Sequence, residues 1–462
     1  MEIVKNINKH IYRGYDIRGI YGDDLDENVA YTIGKGFGSY IQTLGKKEAV
    51  VGRDNRSSSP ELAKAFIKGA IETGITIYNI GVVTTPMYYF SWGNLNIVSG
   101  AMITASHNPK EYNGFKIAFD ERGNACGEMI EEFRDYVEKG EFVNGTGKVI
   151  EKDIRNDYLE LLDRTINLGD RKIKVVLDCG NAAGSVIVKE VYKKEGIEAE
   201  YLYCDSDPDF PNHHPDPSVE ENLKDLKEKV LKDKADLGLA FDGDSDRVGI
   251  IDENGQYIPI DYFMIIVWRD IFDKVKNKKA LYDVKCSKSL VDELDKLGIE
   301  KCCYRTGNSY MKAKMKQGDF NFGGEFSGHV FFRDKFPGFD DAMYAGLRLI
   351  EILSKTDKPL SKLLEGINKY YSTPEIKIKS SDDTKHKIVN DVIEYARRKG
   401  YNLNTIDGMR AEFEDGWALV RASNTGPDIT VRFESKTEER LELLKNEFMN
   451  EINSSIEKSF SF

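Results

Sequence analysis

Short runs of consecutive apolar residues alternate along this chain with longer stretches whose apolar positions recur every three or four residues. Three segments show the same order: KKEAVVGRDNRSSSPELAKAFIKGAIETGITIYNIG from Lys46, RKIKVVLDCGNAAGSVIVKEVYKKEGIEAEYLYC from Arg171 and KKALYDVKCSKSLVDELDKLGIEKCCYRTG from Lys278. Each opens with basic residues and an apolar run of strand length, reaches an aspartate (Asp54, Asp178, Asp283), crosses a small polar loop and enters an amphipathic segment of helical period. Each amphipathic segment stops at a glycine followed by isoleucine (Gly74, Gly196, Gly298), as a left-handed helix cap requires, and a second apolar run follows. Strand, helix and strand in this order predict βαβ units and an α/β fold with largely parallel pairing.

Each repeat then supplies a further strand-like segment that breaks into a polar loop. These are SGAMITASHNP, ADLGLAFDGDSDR and FNFGGEFSGH. Three related domains thus present three different loops at comparable strand ends, where α/β folds build their sites. The repeat fades near residue 367. Beyond it, strand-like WALVRAS and ITVRFES and a helix after Lys436 predict an unrelated α+β domain. The expected architecture is therefore three related mixed-sheet α/β domains, over 1–150, 151–253 and 254–367, and a smaller C-terminal α+β domain over 368–462.

Composition narrows the class. At 40% hydrophobic and 31% charged residues the chain has the balance of a soluble globular protein. A net charge of −12 speaks against broad nucleic-acid binding, while local cation clusters leave an anionic small substrate open. The N-terminal stretch lacks the apolar core of a signal peptide, and the run Tyr262 to Trp268 is far too short to span a membrane. Six cysteines at 126, 179, 204, 286, 302 and 303, without CxxC pairing, read as ordinary thiols of a reducing compartment. The expectation is a cytoplasmic protein, a monomer or weak dimer, with neither nucleic acid nor membrane as partner.

The loops carry the candidate chemistry. In DGDSDR, Asp242 to Arg247, three carboxylates at alternate positions repel one another unless a cation lies between them, and hard oxygen ligands suit magnesium or calcium. A solvated acidic turn is the alternative, opposed by the buried-strand character of the flanking LGLAF and VGII. An EF-hand is disfavoured because Arg247 stands where its sharp turn needs glycine. TASHNP, Thr104 to Pro109, places Ser106 and His107 after an apolar run but lacks the G-x-S-x-G of a serine hydrolase. In KEYNGFKIAF, Asn113-Gly114 predicts a hairpin turn that would fold Lys116 back toward the serine loop; the alternative is an exposed strand lysine. GGEFSGH offers Glu325, Ser327 and His329, either for sugar hydroxyls and proton transfer or as a self-capped turn. RASNTGPDITVR gathers Arg421, Ser423, Asn424 and Thr425, a donor-rich oxyanion cradle or else a capped turn. YDIRGIYG sets Arg18 before a glycine, and GRDNRSSSPE supplies Arg53, Arg56 and a helix start with Ser59 as N-cap and Pro60 at N1.

Taken together, YDIRG, TASHNP with YNGFK, DGDSDR, GEFSGH and RASNTGP resemble the α-D-phosphohexomutase superfamily, and most closely its bacterial phosphomannomutase/phosphoglucomutase group. FPNHHPDP and the segment Asp283 to Lys285 share the likeness, which spans nearly the whole chain. The resemblance implies four domains around a central cleft and an isomerase that interconverts hexose 1-phosphate and 6-phosphate, of mannose and/or glucose. It implies a phosphoserine at Ser106 and a hexose 1,6-bisphosphate as intermediate and activator. Mg²⁺ would be held by Ser106, Asp242, Asp244 and Asp246. Lys116 would be the general acid/base, with His107, Arg18, Arg247 and His329 also catalytic. Tyr15, Lys285, Glu325, Ser327, Arg421, Ser423, Asn424 and Thr425 would bind the sugar phosphate. Phe326 departs from the methionine common in dual-specificity enzymes, and Asn308 stands where the closest relatives carry histidine. The alternative reading is the same chemistry on glucosamine phosphate or N-acetylglucosamine phosphate.

Overall fold

The computed structural model describes residues 1–423 and 426–460 and divides into two compact units. The first comprises Met1–Ile260, Lys312–Gln317 and Ser327–Leu363; the second comprises Asp261–Met311, Gly318–Phe326 and the described chain from Leu364 onward.

The first unit opens with a mixed six-stranded sheet of β1 (Ile17–Ile20), β2 (Glu48–Arg53), β3 (Thr76–Val82), β4 (Gly100–Ile103), β5 (Tyr112–Ala118) and β6 (Lys148–Glu151), in the order β1-β5-β4-β2-β3-β6. Helices Glu27–Thr43 and Ser59–Ile71 bury their apolar stripes in its core, where Phe37, Phe66, Phe115 and Phe119 are fully buried. A second mixed sheet follows, of β7 (Lys174–Asp178), β8 (Glu198–Leu202), β9 (Leu237–Phe241), β10 (Val248–Asp252) and β11 (Tyr257–Ile258), ordered β11-β10-β9-β7-β8. In the second unit, β12 (Lys279–Asp283) pairs in parallel with both β13 (Glu300–Tyr304) and β14 (Phe322–Gly324). The strand β15 (Val330–Phe332) and the helix Ala342–Ser354 belong to the first unit.

The threefold repeat is visible strand for strand. The strand before each marker aspartate lies in parallel between the two that follow it: β4-β2-β3, β9-β7-β8 and β14-β12-β13. Gly74, Gly196 and Gly298 take φ of 98°, 67° and 66° just past their helices, the conformation an L side chain resists.

The C-terminal part of the second unit is an antiparallel sheet of β16 (Tyr371–Ser372), β17 (Ile376–Lys379), β18 (Asn402–Asn404), β19 (Met409–Phe413), β20 (Gly416–Ala422) and β21 (Asp428–Ser435). Helices Lys385–Arg398 and Glu438–Phe460 contribute Ile388, Val392, Leu444 and Phe448 to a core shared with β19, β20 and β21. Among the described residues no helix is long and apolar enough to cross a membrane.

Two local expectations are corrected. Asn113-Gly114 is not a hairpin turn: both residues lie within β5, and the connection from β4 is the serine loop itself. The Asn113 amide is buried and donates to Ser58 and Ser59 at 2.8 and 2.9 Å, while Gly114 faces Arg18 of β1 so closely that an added Cβ would meet the Ile17 carbonyl at 2.0 Å. This glycine permits strand contact rather than a bend. The helix after Arg56 begins one residue earlier than expected: Ser58 holds the N-cap position without a side-chain capping hydrogen bond, Pro60 is the second helical residue, and Ser59 is the first and donates to Asp54 Oδ1 at 2.5 Å.

Candidate active site

The serine loop is a tight turn held from below. Ser106 has φ of 51°, a left-handed value rare for a residue with a side chain, and its amide donates to Thr104 Oγ1 at 2.9 Å. The buried Arg56 guanidinium fixes the rest. It donates to the carbonyls of Ser106, Asn108 and Pro109 at 2.7 Å each and to Tyr112 at 3.2 Å, while its Nε pairs with Asp54 at 3.1 Å. Arg56 is therefore the framework of the loop, and the marker aspartate of the first repeat orients it.

The acidic loop between β9 and β10 meets the serine loop at close range. An added Cβ on Gly243 would lie 2.1 Å from the Ser106 carbonyl, so only glycine admits this approach. Ser106 Oγ donates to Asp242 Oδ2 at 3.0 Å and lies 3.3 Å from His107 Nδ1. Asp242 Oδ1 accepts the amides of Asp246 and Arg247, each at 3.0 Å. Ser245 takes φ of 62° to complete the turn. The antiparallel strands β9 and β10 flank this loop where an EF-hand needs helices, so that reading is excluded.

The three carboxylates are buried together, with ligand oxygens of Asp242, Asp244 and Asp246 within 4.8 Å of one another. Lys116 of β5 reaches two of them, at 2.6 Å to Asp244 and 2.5 Å to Asp246, and Thr85 Oγ1 donates to Asp244 Oδ2 at 2.6 Å. Asp244 Oδ1 is buried and has no hydrogen-bond partner among the described residues. Burial together with Asp244 and Asp246 drives the Asp242 carboxyl well above the usual range. Burial would also raise Asp244, but the Lys116 ammonium and the Thr85 hydroxyl hold it below its ordinary value. Burial would lower Lys116; its two carboxylates outweigh that and hold it firmly protonated. Three carboxylates converge here around a buried oxygen that has no hydrogen-bond partner among the described residues, which leaves that oxygen open to a cation. A hard divalent ion fits this donor set.

His329 stands on the far side of Asp246. Arg247 Nε donates to His329 Nε2 at 2.9 Å, so the ring proton sits on Nδ1, which faces Asp340 Oδ2 at 2.8 Å and Asp246 Oδ1 at 3.5 Å. Lys312 Nζ braces the other Asp340 oxygen at 3.0 Å and lies over the Tyr89 ring, 3.7 Å from its centroid. Arg18 Nη1 donates to Asn108 Oδ1 of the serine loop at 2.5 Å and Arg18 Nη2 pairs with Asp16. Desolvation and the nearby cations Arg247 and Arg18 push the His107 imidazole well below its ordinary pKa. Tyr15 is half-buried and interacts electrostatically with Arg18 and Arg247. Ser327 is half-buried in the same unit.

The second unit holds the other expected binding residues. Glu325 is buried and accepts the Gly307 amide at 2.7 Å. Lys285 is buried 3.4 Å from Glu375, with its ammonium 5.8 Å from the Phe326 ring centroid. Arg421 Nε donates to Asp407 Oδ2 at 2.9 Å, and the Ser423 amide closes the β20–β21 hairpin on the Asp428 carbonyl at 2.8 Å. Asn424 and Thr425 lie outside the described residues.

Sequence reasoning missed Thr85, Asp340 and Lys312. Thr85 sits at the start of the helix Thr85–Leu95, in a TTP run that signalled only a helix start. Asp340 and Lys312 are eleven and seventeen residues from His329, without a motif to join them.

Four family models match in order: phosphoglucomutase/phosphomannomutase alpha/beta/alpha domain I over 9–144, domain II over 156–255, domain III over 259–370 and the C-terminal domain over 375–451. The chain is similar to a phosphomannomutase/phosphoglucomutase of Pseudomonas aeruginosa, 40% identical over 442 residues that cover 96% of this chain and 95% of that one. It is similar to a phosphoglucomutase of Neisseria gonorrhoeae, 40% identical over 447 residues and 96% of each chain. Among solved structures, a phosphoglucomutase/phosphomannomutase family protein of Burkholderia thailandensis superimposes with a TM-score of 0.90 at 35% identity, covering 97% of this chain and 98% of that one.

Proposed function

We propose a mechanism from one premise: the chain belongs to the phosphoglucomutase/phosphomannomutase family, in the bacterial group of the α-D-phosphohexomutases. It is an isomerase, a mutase that interconverts the 1- and 6-phosphates of a hexose, mannose and/or glucose. The observation that carries the assignment of residues is the meeting of Ser106 with the acidic loop: its Oγ donates to Asp242 at 3.0 Å beside a buried carboxylate oxygen that has no partner among the described residues.

In this reading Ser106 carries the phosphoryl group. The free hydroxyl of a bound hexose monophosphate attacks that phosphorus, the P–Oγ bond breaks, and a hexose 1,6-bisphosphate forms. The sugar then turns end for end, Ser106 Oγ attacks the other phosphate, and the isomeric monophosphate leaves. Lys116, held protonated between Asp244 and Asp246, donates a proton to the departing serine oxygen and recovers one on return. His329, oriented by Asp340, and Arg247 serve the sugar hydroxyl; His107 and Arg18 flank the phosphoryl group. Asp242, Asp244 and Asp246, with the Ser106 phosphate, would hold Mg²⁺, which offsets charge on the transferring group when bound. Tyr15, Lys285, Glu325 and Ser327 would orient the sugar, and Arg421, Ser423, Asn424 and Thr425 would grip the phosphate that is not reacting. Beyond the P–Oγ bond broken and remade at Ser106, each half-reaction relies on positioning and electrostatics.

The domain limits proposed are 1–150, 151–253, 254–367 and 368–462, and the working form is a cytoplasmic monomer or weak dimer acting on small sugar phosphates. Phosphorus NMR of mannose 1-phosphate or glucose 1-phosphate with the protein, Mg²⁺ and a trace of glucose 1,6-bisphosphate tests the reading. Appearance of the 6-phosphate supports it. Release of inorganic phosphate without isomer, or no change with either sugar, overturns it.

A further inference from the structure

A buried ammonium lies behind the hairpin that joins β20 to β21. Lys385, the first residue of the helix Lys385–Arg398, is only 7% exposed. Its Nζ donates to the carbonyl oxygens of Ser423 at 2.9 Å and Gly426 at 3.0 Å, and to Asp382 Oδ1 at 2.7 Å. An ammonium has three protons, and three acceptors take them. Holding a lysine this way costs rotamer freedom as well as desolvation. Turn closure alone does not require it. The Ser423 amide already bonds the Asp428 carbonyl, and the Ser380 amide bonds the Pro427 carbonyl at 3.0 Å.

A second observation on the same hairpin points to an anion. Arg421 is 5% exposed, its Nε is committed to Asp407, and its Nη2 is buried without a hydrogen-bond partner among the described residues. An unpaired buried guanidinium nitrogen is costly unless a ligand completes it. One hairpin therefore carries a cation with spare donor capacity and, behind it, a cation whose protons all go to the backbone and to Asp382.

We propose that Lys385 is a positioning residue for the substrate's non-reacting phosphate. It fixes the carbonyls on both sides of the turn and adds a positive charge that does not touch the ligand. The proposal rests on the reading of Arg421 to Thr425 as the phosphate cradle. Asp382, which is partly exposed, in turn holds the ammonium in place.

The test uses the full chain with the substitutions Lys385→Met, Asp382→Ala and Arg421→Lys, each checked for a cooperative thermal transition. It reads KM and kcat with glucose 1-phosphate, and the hydrolysis rate of phospho-Ser106 in the absence of sugar. Lys385→Met should raise KM about tenfold, the loss expected of one phosphate-binding contribution, with kcat and phosphoserine hydrolysis changed little. Asp382→Ala should raise KM in the same direction by a smaller factor. A raised KM in Arg421→Lys with none in the other two overturns the proposal. No rise in any of the three means that the hairpin is not the phosphate cradle, and the underlying reading fails with it. Should Lys385→Met not fold, Asp382→Ala decides: an unchanged KM rejects the clamp.

Discussion

Two hairpins of this chain, Asp242–Arg247 between β9 and β10 and the β20–β21 turn that begins at Ser423, join antiparallel strands and carry opposite chemistry. The first gathers acceptors. Its carboxylates are buried, tied by the turn's own amides and by Lys116, and left with an oxygen that no described residue satisfies. The second gathers donors, with Arg421 braced by Asp407 and the turn held from behind by Lys385. A loop of acceptors is incomplete without a cation; a loop of donors is incomplete without an anion. The difference teaches where each should act. Groups that meet charge as it develops at the reacting phosphorus lower kcat when lost, whereas groups that hold a spectator phosphate raise KM.

The largest expected effect tests the acceptor side at its centre. Ser106→Ala should lower turnover on the order of 10⁴-fold or more, because it removes the hydroxyl that is aligned with Asp242 to carry the phosphoryl group. Mass spectrometry of protein incubated with glucose 1,6-bisphosphate should find phosphate on Ser106 in the unaltered chain and none in the variant. Chelation with EDTA should also abolish turnover, and Mg²⁺ should restore it. Turnover that persists in either case would break the distinction between the two hairpins. Next comes Asp244→Asn, which removes one of the two Lys116 ion pairs together with the carboxylate charge at the orphaned oxygen. It should cost about 10²- to 10³-fold in kcat, with a higher Mg²⁺ requirement and a KM that moves little. A loss confined to KM would instead assign the acidic loop to substrate binding.

Asp340→Asn sharpens the comparison. The residue lies outside both hairpins, yet its carboxylate sits 2.8 Å from His329 Nδ1 and accepts from Lys312, and so orients the ring that meets Arg247. Losing this carboxylate should lower kcat roughly 10- to 100-fold, as for other carboxylates that orient a functional imidazole. Steady-state kinetics at saturating Mg²⁺ checks it. An unchanged kcat would remove His329 from the proton path.

Why these residues differ in legibility follows from where their partners lie. The strand-helix-strand repeats were plain because apolar period and terminal glycines are local signals, and Gly196 and Gly298 take the left-handed φ that the pattern demands. The acidic loop was plain because three alternate carboxylates between apolar runs have few other uses. Asn113-Gly114 misled because the same dipeptide serves a turn or a close strand contact, and only the β1 neighbour, nearly one hundred positions away, decides between them. Lys385 and Asp340 were illegible for a related reason. A lysine at the start of a helix and an aspartate before one carry ordinary local roles, and their further partners come from distant segments.

The smallest expected effect falls on a residue beside these, and it separates catalysis from stability. Asp341 caps the helix Ala342–Ser354 through the Tyr344 amide at 3.0 Å and accepts the Tyr158 hydroxyl at 2.7 Å. Burial pushes its carboxyl up to about 7 against an ordinary 3.8. The folded chain therefore binds a proton that the unfolded chain has released anywhere between these values. Its contribution to stability is full below pH 3.8 and is lost as pH rises through 7. Asparagine keeps the cap and removes the ionisation. Asp341→Asn should therefore raise the thermal midpoint by several degrees at pH 8 and leave it almost unchanged near pH 4, with kcat intact. Thermal unfolding of both chains across that range decides it. A midpoint lowered equally at both pH values would mean that Asp341 acts through its hydrogen bonds alone, with no ionisation cost to relieve.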